Sequence, residues 1–206
     1  MGRYTGPTDR LSRREGINLM LKGARSESGK VERRMQPPGM HNWRRARGSE
    51  YRLRLREKQK VKRYYGVRDR QFMNLFHQAR RMKGDTGAAM LSLLERRLDN
   101  VIHKLGMAPS RPAARQTIAH GHVYVNDRRV SIASYRVRVG DKIAAKPSDK
   151  SRALIRSRLE ELGEPRVQNW LKLDPAKLTG EILAMPTRDD VMIPVEENLV
   201  VEFCNR

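Results

Sequence analysis

The segment SRPAARQTIAHGHVYVNDRR, residues 110–129, constrains the fold more than any other part of this chain. Its pattern is a short helix, a glycine stop, a strand and a tight turn. Ser110 is a good helix cap, and Pro112 falls in the first turn, where a missing N–H costs no hydrogen bond. Arg111 and Arg115 stand four apart and share one helix face, while Ala114 and Ile118 share the face a core would cover. Gly121 supplies the left-handed residue that ends the helix. From His122 to Asn126 the chain alternates, with valines on one side and polar or aromatic groups on the other. The dipeptide Asn126-Asp127 then makes a turn that presents Arg128 and Arg129. A rigid element carrying cations at fixed spacing suits a folded phosphate surface; a floppy basic tail would add affinity with little shape selection.

The flanking sequence supplies the rest of a compact unit. Leu91, Leu94, Leu98, Val101 or Ile102, and Leu105 form the stripe of a helix predicted from about Ala88 to Leu105, ended by Gly106. Only Met107-Ala108-Pro109 and Ser110 separate it from the next helix, so the two must pack as an αα-hairpin. Strands are predicted at His122–Asn126, Arg129–Ser131, Arg136–Val139 and Lys142–Ala145, with a turn at Gly140-Asp141. The local plan is α-α-β-β-β. Upstream, Ser49 begins a helix that runs to Tyr65, and Asp69 caps another through Met82 whose stripe is Phe72, Leu75, Phe76, Ala79 and Met82. Residues 1–48 read as a basic arm, with one short helix near Leu11–Leu21. Downstream, Asp149 caps a helix through Leu162, and the runs Glu181–Met185 and Leu199–Phe203 look strand-like.

Charge narrows the partners. The net charge is +21. It is unevenly placed: residues 1–83 carry an excess of cations, and residues 159–206 hold more carboxylates than cations. A chain this basic is expected to neutralise a polyanion, with nucleic acid ahead of an anionic membrane surface. The 49–65 helix carries Arg52, Arg54, Arg56, Lys58, Lys60, Lys62 and Arg63 against only Glu50 and Glu57 of its own, which favours polyanion contact over a solvated face. The acidic C-terminal segment is expected to fold back on the basic half or to keep one surface off the polyanion. The one cysteine, Cys204, excludes an internal disulfide and reads as a small apolar residue. No apolar run is long enough to span a bilayer, and the N-terminus lacks a secretory h-region, so a cytoplasmic location is expected.

Chemical motifs are missing. The sequence has no GxGxxG, GxxxxGK[ST] or GxSxG, and His120 and His122 have no cysteine cluster or HExxH helix beside them. No cofactor or metal is expected. Three classes stay open on the residues alone: a structural RNA-binding protein, an RNA-modifying enzyme that borrows the same unit, and a binder driven by charge only. The enzyme would need an added catalytic domain of about 100–200 residues, for which the basic leader and short tail leave no suitable segment. The apolar stripes over residues 69–105 argue against charge alone.

The residues MGRYTGP (1–7), LRLREKQKVKRYYGV (53–67), RQFMNLF (70–76), the stretch 93–126 and SYRVRVGDKIA (134–144) together resemble the bacterial type of the S-four family of small-subunit ribosomal proteins. The stretch 93–126 alone would indicate only the RNA-binding module named after that family, which also occurs in pseudouridine synthases and tyrosyl-tRNA synthetases. The resemblance implies an α+β fold: a mainly helical domain with an inserted α-α-β RNA-binding module. The expected boundaries are a basic arm at 1–48, a helical domain at 49–91 completed by 165–206, and the module with its following helix at 92–164. It implies direct, early binding to 16S rRNA at a multi-helix junction of the 5′ domain and nucleation of assembly of the small-subunit body. It also implies a shared influence on decoding accuracy with ribosomal proteins five and twelve and, for some members, binding to their own messenger RNA. No membrane partner is implied. The expected RNA contacts are Arg3, Arg44, Arg45, Arg47, Arg54, Lys58, Lys62, Arg63, Lys83 and Arg97, and in the module Ser110, Arg111, Arg115, Gln116, His120, His122, Asn126 and Arg128. Two departures stand out. Some members bind zinc through four cysteines in the arm, whereas residues 1–48 here hold none, with Asp9, Ser12 and Ser26 at matching positions. The family commonly has glycine after Asn126, where this chain has Asp127, a residue that tolerates the left-handed conformation at modest cost.

Overall fold

A computed structural model describes residues 4–23, 31–34, 36–40, 48–163 and 167–205. The chain divides into two compact units, one of residues 1–91 with 191–206 and one of residues 92–190. The fold is α+β.

The first unit is helical. Helix α1 (Thr8–Glu15) is stopped by Gly16 at φ 70°, earlier than the helix expected near Leu11–Leu21. Helix α2 (Glu50–Tyr64) starts at Ser49, whose hydroxyl accepts the Arg52 N–H at 3.2 Å. Helix α3 (Asp69–Arg80) buries Phe72, Leu75, Phe76 and Ala79. It closes at Arg81, so Met82, expected in the stripe, falls outside it and is 46% exposed. Helix α4 (Thr86–Glu95) begins in this unit and ends in the second.

The C-terminal run Leu199–Phe203 is helical, not a strand: α8 spans Glu197–Cys204 and buries Val200 and Cys204, one turn apart. A helix puts both on one face against α2, where Phe203 meets Tyr51 at 5.5 Å between ring centroids. The acidic tail thus returns to the basic helix, and Glu202 pairs with Arg54 at 2.6 Å.

In the second unit the long helix expected over 88–105 is broken. Helix α4 ends at Glu95 and α5 (Leu98–Lys104) begins after an extended Arg97. The reason is tertiary. The Leu98 and Asp99 N–H groups donate to the carbonyls of Tyr135 (2.8 Å) and Ala133 (3.2 Å) rather than to the preceding turn. Helix α6 (Arg111–Ala119) follows, with Ser110 Oγ accepting the Ala113 N–H at 3.4 Å. Strands β1 (Val123–Val125) and β2 (Arg128–Arg129) form a two-residue hairpin in which Asn126 (φ 49°) and Asp127 (φ 62°) are both left-handed. Aspartate therefore fills the position without breaking the turn. Strand β3 is Lys142–Ala145. The expected strand Arg136–Val139 is instead an extended segment with a single bridge from Arg136 to Arg97.

Helix α7 (Asp149–Leu162) leads to β4 (Leu171–Asp174) and β5 (Thr179–Ile182). These two complete an antiparallel sheet of order β2-β1-β3-β5-β4, so residues 171–182 belong to the second unit. Gly180 is required here: a Cβ would stand 2.5 Å from Leu105 Cδ1, so only glycine lets β5 lie on α5. The core joins Leu98, Val101, Ile102 and Leu105 to Ala114 and Ile118, to Val123, Val125 and Ile143 of the sheet, and to Ile155 of α7.

Candidate nucleic-acid interface

The α5–α6 pair is held by a buried polar network that hydrophobic periodicity does not show. Asp99, 1% exposed, accepts from Arg97 Nε at 3.1 Å and Nη2 at 2.9 Å, from Arg115 Nε at 2.6 Å and from the Asn100 N–H at 3.0 Å. Asn100 donates to Glu95 Oε2 at 2.5 Å and its Oδ1 accepts from Arg111 Nε at 2.8 Å. Glu95, fully buried, also pairs with Lys104 at 2.6 Å. The Lys104 amine reaches Gln168 Oε1 and the Asp190 carbonyl and lies 5.6 Å from the centre of the Trp170 ring. Burial pushes the Lys104 amine below its ordinary range, against the opposing charge of Glu95. Two carboxylates and an amide thus fix Arg97, Arg115, Arg111 and Lys104. Charges taken out of water need such partners.

The face left to solvent is built on this frame. Gln116 and His120 on α6 and Arg128 in the hairpin are exposed. Arg115 is half turned in, its side chain 22% exposed. Asn126 serves the turn: its amide donates to Asp141 Oδ1 at 2.8 Å and its oxygen accepts the Lys142 N–H at 2.9 Å. His122 Nδ1 lies 2.9 Å from Ser151 Oγ.

Helix α2 in the first unit follows the same logic. Arg54 bonds Glu202, Arg56 and Arg63 both reach Glu15, Lys58 and Lys62 reach Asp69, and Lys60 reaches Glu57. Lys58 is buried, 3.1 Å from Asp69 and 5.1 Å from the centre of the Phe203 ring. The Glu15 carboxyl is pushed up by burial, against the charges of Arg63, Arg56, Lys60 and Arg14. For Asp69, burial works upward, but the hydrogen bonds and charges of Lys58 and Lys62 outweigh it and hold its carboxyl low. Arg54, Arg56, Lys62 and Arg63 keep part of their side chains in water, where a phosphate can share the cation.

Of the expected RNA contacts, Arg3, Arg44, Arg45 and Arg47 lie outside the described residues. Lys83, Gln116, His120 and Arg128 are exposed. Arg54, Lys62, Arg63, Ser110, Arg115 and His122 are half-buried, and Asn126 is exposed but committed to its turn. Lys58, Arg97 and Arg111 are buried. Sequence reasoning missed Glu95, Asp99, Asn100 and Glu15, which organise the cations. The signal was available: in LLERRLDN two isolated carboxylates and an asparagine interrupt an otherwise apolar and basic run. Among the described residues no cluster of His, Cys, Asp or Glu is placed to hold a metal, and no helix is long and apolar enough to cross a membrane.

Residues 3–95 match the ribosomal protein S4/S9 N-terminal domain, and residues 96–143 match the S4 domain. The chain is 52% identical to the small ribosomal subunit protein uS4 of Thermus thermophilus over the full length of both. It is 48% identical, again over full length, to uS4A of Symbiobacterium thermophilum and to uS4 of Halothermothrix orenii. These relatives are structural proteins of the cytoplasmic ribosome, not enzymes. On the family matches over both segments and the full-length identity to these relatives, the chain belongs to the uS4 family of small-subunit ribosomal proteins.

Proposed function

We propose that the chain binds 16S rRNA directly, at a multi-helix junction of the 5′ domain, and nucleates assembly of the small-subunit body. The observation that carries this reading is the α5–α6 frame, in which Asp99 fixes Arg115 and Glu95 fixes Lys104 in the unit that exposes Gln116, His120 and Arg128. Charge alone would need no such frame; recognition of a folded RNA shape does. In this reading Lys58, Arg97 and Arg111 support the face from within. Arg54, Lys62, Arg63, Lys83, Arg115, Gln116, His120, His122 and Arg128 meet the RNA, with Arg3, Arg44, Arg45 and Arg47 of the arm. Ser110 and Asn126 set the ends of the elements that carry this face. Ribosomal proteins five and twelve are the proposed partners in decoding accuracy, and its own messenger RNA a further ligand.

Hydroxyl-radical footprinting on the small-subunit RNA tests the site: protection should be confined to the 5′-domain junction. Binding should fall by about 10³–10⁵ between 50 and 200 mM salt if roughly 6–10 phosphates are neutralised. A flat salt response, or equal affinity for duplex DNA, refutes the reading.

A further inference from the structure

Arg129 differs from the arginines of the buried frame. It sits on the edge strand β2, is exposed, and has no ion-pair partner among the described residues, whereas Arg97 and Arg115 both reach Asp99. The Nε–Nη2 edge of its guanidinium is set against Gly121: a Cβ there would stand 2.6 Å from Arg129 Nη2 and 2.8 Å from Cζ. Gly121 at φ 74° ends α6, so the same glycine that turns the chain also makes the shelf on which the guanidinium rests.

The residues on either side of this shelf are His120 and His122, whose rings are 6.1 Å apart. His122 is held through Nδ1 by Ser151 Oγ of α7 at 2.9 Å, which leaves Nε2 for another partner. Arg158 of α7 donates to Thr117 Oγ1 at 2.6 Å, which anchors it to α6. Burial first, then the charges of His120, Arg158 and Lys146, hold the His122 imidazole below its ordinary range. The charge of Glu161 acts on Arg158. The end of α6, the segment after β3 and α7 thus bring His120, Lys146 and Arg158 to act on His122.

Resting on the RNA-binding reading above, we propose that Arg129 against Gly121, with His120, His122, Lys146 and Arg158, forms a site for an RNA backbone phosphate at which His122 takes up a proton as the phosphate binds. The chemistry fits. A planar guanidinium positioned without a carboxylate is free to give two parallel hydrogen bonds to phosphate oxygens. A phosphate anion in this cluster reverses the local field. The His122 imidazole, disfavoured as a cation in the free protein, is stabilised as a cation in the complex. Binding then draws a proton, and affinity rises as pH falls through the neutral range.

The test uses the full chain and a transcript of the small-subunit RNA at constant salt. Wild-type affinity should rise about three- to tenfold from pH 8 to pH 6, as uptake of up to one proton allows. Arg129→Ala should lose about tenfold in affinity and lower the salt slope by about one contact. Arg129→Lys should recover only part, because an ammonium cannot lie on the shelf. A His120→Gln/His122→Gln variant should bind at pH 8 with the wild-type salt slope but without the pH dependence. Inorganic phosphate, compared with chloride at equal ionic strength, should leave that dependence in place; its complete loss would assign the site to free anion and overturn the proposal. Wild-type binding with an unchanged Arg129→Ala, or a pH profile that survives loss of both histidines, overturns the site alone. Failure of the wild type to bind the transcript overturns the RNA reading as well. Arg129 is exposed and unpaired, so its variants should melt like wild type.

Discussion

Asp99→Ala should destabilise the second unit far more than the loss of a surface charge. The carboxylate is 1% exposed and accepts three hydrogen bonds from Arg97 and Arg115, plus the Asn100 N–H. Each hydrogen bond to a charged group is worth about 1.5–3 kcal/mol, but they share one acceptor and do not add. The larger cost is the cation left behind. The Arg97 side chain is 7% exposed and has nowhere to be hydrated. Breaking a buried pair from one side costs about 3–5 kcal/mol. Asp99→Asn keeps the shape and one acceptor and should cost about half as much, roughly 2 kcal/mol. Arg115→Ala should cost less again, about 1–2 kcal/mol, because Asp99 keeps Arg97. Urea unfolding in a Trp43→Phe background reads this unit through Trp170, which is 2% exposed within it. A loss below about 1 kcal/mol for Asp99→Ala would mean that the arginines are solvated without it, and the frame would cease to explain the face.

Other outcomes follow from single groups. Burial, then the charge of Arg111, hold the His103 imidazole down at about 4, against an ordinary 6.5. The unfolded chain therefore binds this proton first. The stability is intact above pH 6.5 and is lost as pH falls toward 4, by about 3 kcal/mol. His103→Gln should remove that part of the acid sensitivity, as unfolding free energies at pH 7 and pH 4 would show; an identical acid loss in the variant refutes it. Burial pushes the Cys204 thiol up to about 11. Iodoacetamide at pH 8 should leave it unmodified until the first unit unfolds, and rapid labelling of native protein would contradict the packing of α8. Lys58→Met should change stability by no more than about 1 kcal/mol, since Asp69 stays solvated, and should leave the salt slope of RNA binding unchanged. A slope lowered by about one would place the amine on phosphate.

Local chemistry was legible where local forces decide. Ser49 and Ser110 cap α2 and α6, Gly121 stops α6, and Asn126-Asp127 turns the hairpin, because caps and left-handed residues act within a few positions. The stripes from Leu91 to Leu105 and in α6 are buried because helical spacing places them on one face. The break at Arg96-Arg97 was not legible. It depends on carbonyls of Ala133 and Tyr135, more than thirty residues on, that outcompete continued helix. Leu199–Phe203 misled for the same reason: a run of apolar and β-branched residues suits either state, and α2 selects the helix.

The sequence by itself determined that this chain is a polycation with two helical stripes, an α-α-β element and no catalytic motif. Those properties follow from composition and short-range periodicity. Tertiary structure decided which cations are available. On paper α2 has Glu50 and Glu57 against seven cations. Folding brings Glu15, Asp69 and Glu202 to it from distant positions and buries Lys58 among rings. In the segment 110–129, Arg111 and Arg115 are drawn onto Asn100 and Asp99, while Arg129, with nothing but a glycine beneath it, is left for an outside anion. Charge is additive along a sequence. Its availability is set by burial and by the nearest carboxylate, which only the folded chain supplies.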